Sequence, residues 1–224
     1  MSHDNVGVCI IAFHPDSYYS VSESENNMSS EDLLSLTEIM IQNNYDICAA
    51  NGLSNVYILC DTSLENIVIN SEIHQLVFTE SEGLFKFIEE KKAKFNKLLV
   101  LSANIVGLTA QKLDFMLNML DMEEEVSILG VDYSDRICFT ASCSYDRHIL
   151  AGQLDNMDYH GLFKGKPDLD YYYILLNNVY SIANLEDFRR LYGILSQREN
   201  FNLCSKDIYD RFTELFIEYK ELIS

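Results

Sequence analysis

Residues 97–111, KLLVLSANIVGLTAQ, decide the fold class, because an apolar run there breaks into a short polar turn and then opens a helix. Residues 98–101 are apolar without alternation, the pattern of a strand buried on both faces, as in a parallel sheet covered by helices. Thr109 is placed as an N-cap ahead of Leu113, Met116, Leu117 and Leu120, which recur on one helical face. In open parallel sheets ligands gather at the carboxyl ends of strands, so residues 102–107 are the first place to look for function.

The same reading extends outward. Residues 6–13, VGVCIIAF, form a first strand, and residues 55–61, NVYILCD, a second, entered from the turn at Asn51-Gly52. Short β-rich pieces follow at 67–69 and 75–79, and further strands at 126–131 and 137–143. Ser29 and Asp32 have capping-box spacing before a helix carried by Leu33, Leu36, Met40 and Ile41 to about Tyr45. Residues 82–96 form a helix with Leu84, Phe85, Ile88 and Phe95 inward and lysines in its last turn, where cations complement the helix dipole. Residues 14–30 and 144–170 read as polar loops, and residues 171–182 resume β character. Asn184 with Asp187 caps a helix bearing Leu185, Phe188, Leu191, Tyr192 and Leu195, and a final amphipathic helix spans about 205–222.

Strand and helix patterns alternate up to about residue 131. This predicts an α/β protein, a three-layer sandwich with a mostly parallel central sheet, helices on both faces and a later antiparallel addition. A single domain over residues 1–224 is expected, with 200–224 as a C-terminal helical extension.

Against 16 Lys and Arg stand 35 Asp and Glu, a net charge of -19, which argues against a nucleic-acid partner. Apolar runs are all shorter than the roughly 20 residues a membrane span needs, and the start, MSHDNVGVCIIAF, lacks a basic leader, so a cytoplasmic protein without a membrane partner is expected. The six cysteines show no C-x-x-C spacing and mostly adjoin apolar segments, the placement of buried thiols.

Motifs for phosphate cradles, G-x-G-x-x-G and G-x-x-x-x-G-K-[ST], are absent, as are G-x-S-x-G and H-E-x-x-H. What remains is carboxylate and amide chemistry at strand ends: Asn104 beside Ser102 after one core strand, Asp132 and Asp135 after the next, and Asp61 after another. Such groups bind Mg²⁺ or Mn²⁺ through oxygen and bridge to phosphate. They also favour turns through their own local hydrogen bonds.

The run SANIVGLT at 102–109 resembles the G-S-D-C-P-G-L-T of the arsenosugar-biosynthesis-type glycosyltransferases, a bacterial family of the nucleotide-diphospho-sugar transferase superfamily with the glycosyltransferase-A fold. Gly107, Leu108 and Thr109 match, while the family's aspartate falls on Asn104. Leu129-Gly130 matches its next strand end, and the acidic Gly-Gly motif is replaced across residues 134–137. Its D-V-D-T-x-E-D-L is similar to SIANLEDF at 181–188, with both leading acids exchanged, for Ser181 and Ala183. Leu162, Phe163, Gly165 and Pro167 are similar to its L-F-x-G-x-P, and its basic first loop is echoed by Phe13 and Pro15 alone.

The resemblance implies a nucleotide-sugar partner and a metal held by aspartates. On that basis Asp132 and Asp135 are the expected catalytic and metal-binding carboxylates, beside Asn104 and Ser102, with Arg136 or Lys166 meeting phosphate. The function implied is a divergent glycosyl or nucleotidyl transferase-like protein with weak or lost activity. The alternative is a non-catalytic module of the same fold that binds a protein partner. A third reading, an unrelated open α/β domain, would carry a dinucleotide-type switch point between the first and fourth strands.

Overall fold

The computed structural model describes residues 4–13, 29–61, 74–78, 81–123, 125–155, 157–164, 172–182, 184–197, 200 and 202–223. Most of the 14–30 loop, the β-rich piece at 67–69, Lys166 and Ala183 lie outside them.

Among the described residues the main sheet contains Val6–Ala12 (β1), Val56–Asp61 (β2), His74–Phe78 (β3), Lys97–Ser102 (β4), Val126–Val131 (β6), Ile137–Ser142 (β7) and Tyr172–Leu176 (β8). Their spatial order is β3-β2-β1-β4-β7-β6-β8, and Ile105–Val106 (β5) pairs with Tyr180–Ser181 (β9) as a separate two-stranded ladder. The helices are Ser30–Ala50 (α1), Ser81–Lys94 (α2), Ala110–Met122 (α3), Arg147–Leu154 (α4), Tyr159–Phe163 (α5), Leu185–Leu195 (α6), Lys206–Glu218 (α7) and Lys220–Ile223 (α8).

β4, the strand that heads KLLVLSANIVGLTAQ, stands in the middle of the sheet, parallel to β1 and antiparallel to β7. Since β6 is antiparallel to β7 and parallel to β8, β7 alone runs against the rest. The β3-β2-β1-β4 half does place a switch point beside β1 and β4, as dinucleotide folds do. The antiparallel β7 then interrupts the parallel order such folds continue with.

Every residue of β1 is buried, and alternate residues serve opposite layers. Val8 and Ile10 join Leu99, Leu101 and Ile128 beneath α1 and α3, where Ile41, Cys48, Leu113, Met116 and Leu120 complete the layer. Cys9 and Ile11 join Leu59, Leu98 and Val100 under α2 and α4, against Leu84, Ile88 and Leu150. Gly130 in β6 is required by close approach, because a Cβ there would lie 2.0 Å from the Phe139 ring of β7. A third cluster binds the far side of α1 to the C-terminal helices: Leu36 and Met40 meet Phe188, Phe212 and Phe216. The C-terminal helix α7 therefore closes over an apolar face that α1 leaves uncovered.

Helix starts follow the caps read from sequence. Thr109 accepts from Lys112 N at 3.3 Å, Asn184 from Asp187 N at 2.9 Å and Ser29 from Asp32 N at 3.1 Å. Lys92 donates to the carbonyls of Phe95 and Asn96, closing the end of α2 as its lysine cluster suggests. Three expectations change. α1 continues past Tyr45 to Ala50, because nothing breaks it before Asn51 and Gly52, the latter at φ +74. The polar stretch 144–170 contains α4 and α5, capped by Asp146 and Asp158, each too short to show a clear 3.6-residue period. Residues 171–182 divide into β8 and β9, which belong to different sheets, with Asn178 between them at φ +62.

None of the six cysteines forms a disulfide, and burial pushes the thiols of Cys9, Cys48 and Cys138 up to about 12. Among the described residues no helix is long and apolar enough to cross a membrane.

Candidate functional site

The carboxyl ends of β1, β4, β6 and β8 lie at one edge of the sheet, since these four strands run the same way. Beyond β4 the chain turns through Ala103 and Asn104 into β5. The turn is held from both sides. Asn44 of α1 donates its amide to the carbonyls of Ala103 and Ile105, at 3.0 and 3.3 Å. Asn104 Nδ2 donates to the carbonyl of Ile182 at 3.0 Å, and the Ile182 N–H donates back to the Asn104 carbonyl at 2.9 Å. Asn104 is only 3% exposed, so this reciprocal pair locks the β5–β9 ladder to the end of β4. The local fold thus spends the amide on structure.

Asp132 follows β6 and is held by several hydrogen bonds. Its Oδ1 accepts from the backbone N–H groups of Ser134 and Arg136, at 2.8 and 3.0 Å. Its Oδ2 accepts from Arg136 Nε at 2.7 Å and from the hydroxyl of Ser181 on β9, and Arg136 Nη2 stands 2.7 Å from the same oxygen as an ion pair. Nη2 of Arg136 also stands 3.4 Å from Asp187 Oδ2, in the first turn of α6. A guanidinium thus lies between two buried carboxylates, and both are compensated where they would otherwise be costly.

The sequence-derived residues separate accordingly. Asp132 and Arg136 meet directly, and the ladder carries Asn104 alongside through Ser181. Asp135 lies on the same turn but is exposed, at φ +59, with its carboxylate 3.8 Å from His160 Nε2. Ser102 turns to the α4 face, where its hydroxyl accepts from Gln153 Nε2 at 3.2 Å. Gln153 also donates to the carbonyls of Val100 and Cys138, tying α4 to β4 and β7. Lys166 is outside the described residues.

Asp187 was legible in the sequence only as part of a helix cap. Its burial against Arg136, 51 residues away, left no local signal. Ser181 was visible as one of the exchanged acids of the resemblance, and its hydroxyl now meets Asp132.

An oxygen-ligated divalent ion needs several carboxylate or carbonyl oxygens free to converge on it. Here the oxygens of Asp132 are filled by N–H and O–H donors, while Asn104 is held through its Nδ2, which donates to the Ile182 carbonyl. Among the described residues no three His, Cys, Asp or Glu side chains group so as to hold a metal ion. As arranged, the cluster fits a guanidinium in place of Mg²⁺ or Mn²⁺.

No family model matches the chain, and no curated protein matches it. Solved structures do. A Desulfovibrio desulfuricans G20 protein assigned to the nucleotide-diphospho-sugar transferases aligns over 100% of this chain and 97% of its own, with a TM-score of 0.69 at 13% identity. A cytidylyltransferase from Leptospira borgpetersenii aligns over 99% and 97%, with a TM-score of 0.56 at 11% identity. The Mycobacterium tuberculosis protein Rv0371c, solved in complex with manganese, aligns over 84% and 98%, with a TM-score of 0.50 at 8% identity.

Proposed function

We propose that this chain, which has the fold of the nucleotide-diphospho-sugar transferases in its glycosyltransferase-A arrangement, is a divergent glycosyl or nucleotidyl transferase-like protein with weak or lost metal-dependent transfer. The observation that carries the reading is Arg136 between Asp132 and Asp187. Where such chemistry needs a cation exposed to a diphosphate, this chain supplies one that is only 20% exposed and bonded internally. Asn104, at the position that the resemblance gives to an aspartate, supports the same reading because its side chain offers a neutral amide oxygen in place of a carboxylate and is held in place through its Nδ2.

The finer resemblance to the arsenosugar-biosynthesis-type enzymes includes Gly107, Leu108 and Thr109, which have scaffold roles. Gly107 takes φ +94, Leu108 is fully buried and Thr109 caps α3. Any residual activity would fall to Asp135, the exposed carboxylate of the set, acting on a nucleotide sugar in a cytoplasmic setting. Ser102, Arg136 and Lys166 would serve as positioning groups.

Calorimetry and turnover assays on the full chain with UDP-glucose, GDP-mannose and CTP, with and without Mn²⁺, test this. The expected result is no Mn²⁺-dependent turnover and no tightening of binding by Mn²⁺. Saturable Mn²⁺-dependent transfer by the wild-type chain, lost in a folded Asp132→Asn or Asp135→Asn variant, would overturn it.

A further inference from the structure

Successive residues of a strand point to opposite faces, so while Ser181 turns to Asp132, its neighbour Tyr180 turns away. On that far side of the β5–β9 ladder Tyr180 lines an open groove of about 640 Å³, bounded by the first turn of α3, the β8–β9 connection and, after α6, by Gln197, Asn200, Asn202 and Leu203. This volume is within the range of small-molecule sites.

Its lining is chemically selective. Gln111, Asn178, Gln197, Asn200 and Asn202 all contribute to it, whereas no aspartate or glutamate is among its described lining residues in a chain that carries 35. A carboxamide offers N–H donors and a carbonyl acceptor side by side, which matches adjacent hydroxyls that each donate and accept. Asn200 is fixed by donating to the Ile194 carbonyl at 2.9 Å. Lys112, the cation among the described lining residues, donates to the carbonyls of Gly107 and Asn178, so it holds the rim together and has little left for a counter-ion. A net charge of -19 also opposes anionic ligands. Tyr180 and Phe115, the latter 42% exposed, add aromatic surface against which the C–H face of a sugar ring can rest.

We infer that this groove is a binding site for a neutral oligosaccharide, separate from the Asp132–Arg136–Asp187 cluster on the other face of the ladder. The site does not depend on transfer activity.

Saturation-transfer NMR on the full chain tests it, with maltotriose, cellotriose and triacetylchitotriose as neutral probes and trigalacturonate as the anionic counterpart. Transfer to at least one neutral trisaccharide is expected, with none to trigalacturonate. The double variant Gln111→Ala, Asn202→Ala, at two exposed positions, should raise Kd about tenfold or more, as loss of two ordinary hydrogen bonds would, with an unchanged circular dichroism spectrum. UDP-glucose should not compete. Absence of transfer to every neutral probe, preference for trigalacturonate, an unchanged Kd in the folded double variant, or competition by UDP-glucose would each overturn the assignment.

Discussion

Arg136 reaches Asp132 at 2.7 Å and Asp187 at 3.4 Å from a position 20% exposed, while the two carboxylates are almost wholly buried. Removing the cation alone leaves two buried acids facing each other. Arg136→Leu should therefore cost about 3–5 kcal/mol, the usual penalty for breaking a buried pair, and urea denaturation would show a lowered midpoint. The additional variant Asp132→Asn should recover part of that loss, because it removes one of the uncompensated charges. A second expectation at this scale concerns Lys112, which burial pushes down to about 8 from an unfolded value of about 10.4. The folded chain gives up this proton first. The Lys112 contribution is thus most unfavourable below about pH 8 and becomes less so as pH rises toward about 10.4. Relative to Lys112→Met, the wild type should gain stability between about pH 7 and about pH 10, measured by denaturation at both values. Neither residue announces its role locally. Lys112 looks like an ordinary first-turn lysine, and the Ser181 hydroxyl that completes the Asp132 cluster is 49 residues away.

The ladder and the helix that follows it are set by a small corner. Gly107 takes φ +94, and a Cβ there would lie 2.8 Å from the carbonyl oxygen of Asn178. Gly107→Ala should cost about 1–3 kcal/mol, the range for a side chain forced into such a conformation, read as a lower denaturation midpoint. Gly83 in α2 is the contrast, since a Cβ there would meet nothing within 4 Å and its φ is not positive. Gly83→Ala should stabilise by about 0.5–1 kcal/mol through helix propensity. Longer elements such as β1, β4 and α3 were legible because burial on both faces makes a strand a continuous apolar run and burial on one face gives a helix a repeat. β5, two residues long, has no repeat to impose. α4 and α5 hid within a polar stretch for the same reason, although their caps, Asp146 and Asp158, were there to be read.

For the whole molecule, the C-terminal helices act as part of the core. Phe212 is fully buried between α1 and α6. Phe212→Ala should therefore destabilise by about 3–5 kcal/mol, with a single cooperative transition shifted to lower temperature. A chain of net charge -19 repels itself when folded. Raising salt from about 20 to about 200 mM shortens the screening length, and Tm should rise by several degrees.

The amino-acid order by itself determined the layered α/β architecture, the starts of α1, α3 and α6 and the scaffold at residues 107–109, because each is written in an apolar run, a helical repeat or a capping residue a few positions from its partner. Tertiary structure alone decided the fate of the charged and amide groups. Only when β9 returns to pair with β5 does Ser181 meet Asp132 and Ile182 meet Asn104, and only when α6 packs there does Asp187 reach Arg136. The same ladder puts Tyr180 on its other face, at the edge of a groove whose carboxamides come from three separate segments. Contacts between residues distant in sequence leave no period and no spacing to read, so the chemistry at this sheet edge emerges only after the chain has closed on itself.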